Sequence, residues 1–94
     1  MKLKGLIWLD EIVEKLAHKH NVSQQEVREI LKRDPHLRFV EKGHRRGEDV
    51  YSAMGQNMSG RYLIVFFVYK RDGRAVILSA RDMTATERRT YGKR

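Results

Sequence analysis

The chain has 94 residues, 20 Lys and Arg against 12 Asp and Glu, a net charge of +8 and no Cys. That length suits a single domain over residues 1–94 with one modest core, because a chain of this size buries only about 60–65% of the surface its unfolded form exposes. The lack of Cys excludes disulfides and thiolate zinc sites, and is compatible with a reducing compartment. The charge is uneven: residues 1–34 carry seven basic and six acidic groups, and residues 35–94 carry thirteen basic and six acidic groups. A field of that sign attracts phosphate polymers and speeds their encounter.

The apolar stretch near the N-terminus, Leu6 to Leu9, spans four residues before Asp10 and Glu11 interrupt it. It is too short for a signal-peptide core or a membrane span, so a cytoplasmic protein with no membrane partner is expected. Leu9, Ile12, Val13 and Leu16 share one helix face and predict a helix over about residues 10–20. Ser23 and Glu26 read as a capping box, with Val22 and Val27 as a hydrophobic staple, and Pro35 ends that second helix near Arg33.

The period then changes. Short strands are predicted over residues 37–41 and 50–55, separated by the charged loop 42–49. The Asn57 to Gly60 cluster is a turn. Residues 61–69 form the strongest strand, apolar on both alternating faces, which suits a central position. Asp72-Gly73 is a hairpin signal leading into a strand over residues 75–80, and Thr84 with Glu87 opens a short C-terminal helix. The expected fold is α+β: two N-terminal helices packed on a four-stranded antiparallel sheet, with a short C-terminal helix. The aromatic side chains of Tyr62, Phe66, Phe67 and Tyr69 could stack bases if exposed, but a strand apolar throughout favours the core for them, as for Trp8.

Two segments could carry chemistry. From Ser79 to Tyr91, Arg81 ends a strand, Thr84 opens a helix, and Arg88, Arg89 and Tyr91 follow one turn later. Folded back over the sheet, these groups could converge on a phosphate, whose geometry arginine forks match; a solvated basic helix fits the same composition. The loop from Lys42 to Asp49 holds His44, Arg45, Arg46 and Glu48 beside two glycines. It could wrap a backbone, with His44 or Glu48 moving a proton, or be an ordinary polar loop. His18 and His20 are two residues apart, not the i, i+4 spacing of helical metal ligands, and no metal or cofactor is expected. There is no Gly-rich phosphate loop and no Gly-x-Ser-x-Gly elbow.

The order Lys19-His20-Asn21-Val22-Ser23, then Glu48, Gly55, Gly60-Arg61, Ile77-Leu78-Ser79-Ala80-Arg81 and Glu87-Arg88-Arg89-x-Tyr91 resembles the BrnT-type toxins of type II toxin–antitoxin systems, which share the RelE superfamily fold. The resemblance covers roughly residues 8–91. The chain departs from the family pattern at Asn21, where Gly is usual, and at Leu9, which separates Trp8 from Asp10. The resemblance implies a metal-independent ribonuclease that acts on RNA, inhibits translation, and is neutralised by a cognate antitoxin of ribbon-helix-helix type. Contact with DNA would come only through that antitoxin. Carried over by motif, Glu48, Arg61, Arg81 and Tyr91 are the expected catalytic residues. His44, Arg45, Arg46, Arg88, Arg89, Lys19 and His20 are the expected RNA-binding ones. The alternative is a non-catalytic toxin-like module that binds nucleic acid or a protein partner.

Overall fold

The computed structural model describes residues 2–93. Its elements are β1 (Gly5–Ile7), α1 (Asp10–Lys15), a π-helical turn (Leu16–His20), α2 (Gln24–Lys32), β2 (His36–Glu41), β3 (Val50–Gln56), β4 (Tyr62–Tyr69), β5 (Arg74–Asp82) and α3 (Ala85–Gly92).

Both capping boxes form as predicted. Ser23 Oγ accepts from the Glu26 amide at 3.1 Å while Glu26 accepts from the Ser23 amide at 3.0 Å. Thr84 and Glu87 repeat the arrangement at 3.1 and 2.9 Å. The π-helical turn closes on Asn21, whose φ of +53° is left-handed. Glycine and asparagine are the residues that tolerate that conformation, which gives a physical reason for Asn where the family pattern has Gly. Asp34 also has a positive φ, +52°, and α2 ends before it.

The sheet corrects the expected four antiparallel strands. It has five, in the order β1-β5-β4-β3-β2, and it is mixed, because β1 pairs in parallel with β5 through Gly5–Arg74, Leu6–Ala75 and Ile7–Val76. Three residues carry no usable alternation, and a parallel partner must lie far along the chain, so this strand has no local signature. β2 to β5 form the antiparallel meander that was expected.

The π-helical turn and α2 cover one face of the sheet. Leu16, Val22, Val27 and Ile30 pack there on Ala53, Leu63, Val65, Phe67, Ile77 and Ala80. Gly55 belongs to this contact: a Cβ on it would lie 3.3 Å from Ile30 Cγ2, so a bare backbone lets α2 approach β3. The other face is covered only in part, by α3, with Met83 and Tyr91 against Met54, Ile64, Tyr62 and Phe66. The central-strand aromatics therefore divide between faces. Phe67 is fully buried under the helices, with Tyr69 packed against that core, whereas Tyr62 and Phe66 are partly buried on the open face.

One irregularity decides which side chains reach the open face. In the β4–β5 ladder Phe67 pairs with Ile77 but Phe66 pairs with Ser79, leaving Leu78 as an extra residue. A bulge of one residue reverses the facing of everything beyond it. Ala80 consequently turns into the core, fully buried, and Arg81, opposite Ile64, turns to the open face.

Candidate functional site

Arg81 stands where the bulge puts it, at the junction of β5 and α3. Its Nη1 and Nη2 donate to Glu87 Oε1 and Oε2 at 2.8 and 3.0 Å, a two-pronged pair. Nη1 also donates to the Asp82 carbonyl at 3.2 Å, and the guanidinium lies 5.5 Å from the centre of the Phe66 ring. Glu87 thus has two duties, capping α3 and holding Arg81. Arg81's hydrogen bonds keep the Glu87 carboxyl below its ordinary range against the opposing effect of burial, and the carboxylate raises the Arg81 guanidinium.

Between α3 and the edge of the sheet runs a cleft of about 340 Å³. Arg38, Ser52, Phe66, Thr86, Glu87 and Thr90 line it. Arg38 is paired in register with Ser52, and His36 with Met54, so both side chains of β2 belong to the open face. Along α3 the Arg88 guanidinium lies 4.1 Å from the centre of the Tyr62 ring, and Tyr91 meets the same ring edge-on at 6.1 Å. Arg89 is exposed and donates to Thr86 Oγ1 at 3.2 Å. One face therefore gathers Arg38, Arg81, Arg88, Tyr62, Tyr91 and Glu87. Arg38 and Ser52 were not among the expected site residues. The signal available in the sequence was Arg38's place as a polar residue between the apolar Leu37 and Phe39, which alternation puts on the other face of the strand.

Arg61 lies on the opposite, helix-covered face. Its Nε and Nη2 donate to Asp82 at 2.7 and 3.1 Å. Nη2 also reaches the His20 carbonyl at 2.9 Å, and Nη1 reaches the Asn21 carbonyl at 2.6 Å and Glu26 Oε2 at 3.2 Å. The guanidinium ties the end of the π-helical turn, the start of α2 and the end of β5 together. Hydrogen bonding to Arg61 is the main cause that holds the Asp82 carboxyl below its ordinary range. Asn57, buried in the turn before Arg61, accepts from the Arg61 amide at 2.8 Å and donates to Glu26 at 2.8 Å. Of the expected RNA-binding pair in this region, Lys19 is exposed on the π-helical turn and His20 contributes its carbonyl to Arg61.

The loop 42–49 is at the far end of the sheet. Glu48 pairs with Lys70 at 3.8 Å, and the Asp49 carbonyl accepts from the Tyr69 amide at 3.1 Å. His44, Arg45 and Arg46 are exposed on the same loop. β4 is eight residues long, so its Tyr69 end stands roughly 24 Å from the Tyr62 end, beside which α3 packs. The structure brings Arg81, Arg88 and Tyr91 to one face. It does not bring Glu48 or the Arg61 side chain to them.

The family model described as "Ribonuclease toxin, BrnT, of type II toxin-antitoxin system" matches residues 8–87. No individual curated protein matches the chain significantly. The match takes in every strand from β2 to β5, both N-terminal helical segments and the Arg81–Glu87 pair. The chain belongs to the BrnT family of ribonuclease toxins of type II toxin–antitoxin systems.

Proposed function

We propose that the chain is a cytoplasmic, metal-independent endoribonuclease that arrests translation by cleaving RNA laid across the open face of the sheet, between α3 and β2. The observation that carries this reading is that Glu87, which holds Arg81, lines one cleft together with Arg38. A phosphate is the ligand that can exchange with a carboxylate for an arginine fork.

In this reading the scissile phosphate takes Arg81 from Glu87, and Arg38 closes on it from the sheet edge. The 2′-oxygen attacks phosphorus and its proton passes to Glu87. Once relieved of Arg81, Glu87 returns toward the ordinary carboxylate range and is a better base. The two arginines stabilise the charge on the phosphorane oxygens. The bond to the 5′-oxygen breaks and that oxygen takes its proton from Tyr91, leaving a 2′,3′-cyclic phosphate and a free 5′-hydroxyl. Tyr62 with Arg88, and Arg89 beyond them, support the flanking nucleotides by stacking and charge. Arg61 is a positioning residue, and loop residues His44, Arg45 and Arg46 give general attraction to the backbone. A ribbon-helix-helix antitoxin neutralises the toxin and supplies contact with DNA.

The test is cleavage of single-stranded RNA by the purified chain in the presence of EDTA, with the ends of the products identified. Arg81→Ala and Arg38→Ala lower the rate by about a hundredfold or more, while Glu48→Ala stays within about twofold of wild type. Wild-type cleavage by Arg81→Ala refutes the site. A second reading keeps the Arg81–Glu87 pair closed and leaves RNA to the exposed cations Arg88 and Arg89. On that reading the chain binds RNA with steep salt dependence and does not cut it.

A further inference from the structure

A second concavity, about 840 Å³, opens on the helix-covered side, between the N-terminal segment and the surface of α2. Leu3, Leu6, Trp8, Leu31 and Leu37 give it apolar walls, and all five are partly buried residues packed against the core. Lys2, Lys4, Arg28 and Lys32 ring it, against a single carboxylate, Asp34. Among the described residues none of these four cations forms an ion pair. Trp8 Nε1 is shielded from solvent and has no hydrogen-bond partner in the described structure, and the Arg28 guanidinium lies 6.0 Å from the centre of the same ring. A buried donor without an acceptor is rare in a finished structure, and it marks the wall of this groove as imperfectly packed.

From this geometry we infer that the groove is the docking site of the antitoxin, and that it receives a short segment combining apolar side chains with Asp or Glu. The inference rests on the reading that this chain is neutralised by an antitoxin. The apolar side chains of the segment extend the cluster of Leu3, Leu6, Leu31 and Leu37. Its carboxylates meet Lys4, Arg28 and Lys32. A second copy of this chain is a poor occupant, since it carries +8 itself. RNA would find cations here but no use for the aliphatic walls. The groove and the Arg81 cleft stand on opposite faces of the sheet, so the docked segment anchors the antitoxin without filling the cleft.

The experiment measures binding of the protein encoded beside this chain's gene to the full-length chain, carried on an Arg81→Ala background for safe expression. Lys4→Glu with Lys32→Glu weakens the complex by at least about tenfold, and Arg28→Ala weakens it severalfold. In an Arg81-intact chain, the same variants keep RNA cleavage. A fluorotryptophan label at position 8, the chain's single Trp, shifts on complex formation and reports the contact independently of affinity. Undiminished binding by the charge-reversed variant together with an unmoved label overturns the docking site while leaving neutralisation standing. Failure of the unmodified groove to bind the neighbouring protein overturns both. Loss of RNA binding or of self-association in the groove variants, with antitoxin binding intact, assigns the groove to RNA or to a second copy and overturns the inference.

Discussion

Arg61 and Arg81 are each held by the glutamate of a helix capping box, Arg61 by Glu26 at 3.2 Å and Arg81 by Glu87 at 2.8 Å, and the two pairs stand on opposite faces of one sheet. Their surroundings differ in kind. Arg61 spends its donors on two backbone carbonyls and two carboxylates within the fold. Arg81 is held mainly by one carboxylate, beside a cleft. The first arrangement joins elements, and the second can be exchanged for a ligand.

Arg61→Ala therefore acts on stability. Removing the guanidinium strips the His20 and Asn21 carbonyls and the half-buried Glu26 of a donor. The Asp82 contact adds little, because that side chain is 64% exposed. The expected loss is about 1–3 kcal/mol, a fall in Tm of roughly 5–20 °C for a chain of this size. Thermal unfolding followed by circular dichroism measures it. RNA cleavage per folded molecule stays within about twofold of wild type if Arg61 only positions. A larger drop at full foldedness returns Arg61 to the catalytic set.

Acid should weaken the fold mainly through Glu87, with a small part from the exposed Asp82. Both carboxyls are held below their ordinary range, first by hydrogen bonds from Arg81 and Arg61 respectively. A carboxyl depressed in the folded state stabilises fully above its unfolded value, near 4, and that contribution is lost as the pH falls through the lower folded value. The urea midpoint should hardly change over about pH 5–8 on account of these groups and should fall below about pH 4. Most of that fall belongs to the better shielded Glu87, so Arg61→Ala, which removes only the small part due to Asp82, keeps nearly the wild-type sensitivity to acid.

Glu87→Gln separates the two duties of that residue. Glutamine still caps the Thr84 amide, so α3 survives and stability changes by less than about 1 kcal/mol. The charge that occupies Arg81 is gone. Affinity for a non-cleavable RNA carrying 2′-deoxy substitution should rise severalfold, while cleavage of ordinary RNA should fall by about a hundredfold, the usual scale for removing a general base. Tighter binding with unchanged cleavage would assign the base to another group.

Asn21 offers a test at the backbone. Its left-handed φ of +53° suits glycine and asparagine and penalises branched side chains. Asn21→Gly should leave the Tm within a few degrees, and Asn21→Val should cost about 1–2 kcal/mol. Equal stability of the two variants would show that the turn readjusts.

The sequence by itself determined the local structure. Ser23 with Glu26 and Thr84 with Glu87 marked both helix starts, because a capping box is satisfied within four residues. The alternation and apolar run of residues 61–69 placed β4 at the centre of the meander. The family was legible in the spacing that ends in Arg81 and Glu87. Tertiary structure alone decided the rest. The parallel pairing of β1 with β5 joins segments some seventy residues apart and leaves no trace in three residues. The loop residue Glu48 is separated from α3 by the length of β4, which no motif order reveals. The bulge at Leu78 turned Arg81 to the open face and left Arg61 and Asp82 on the other. Side chains in a strand alternate with a period of two, so one extra residue in the ladder reverses their facing, and strand pairing sets where that residue falls.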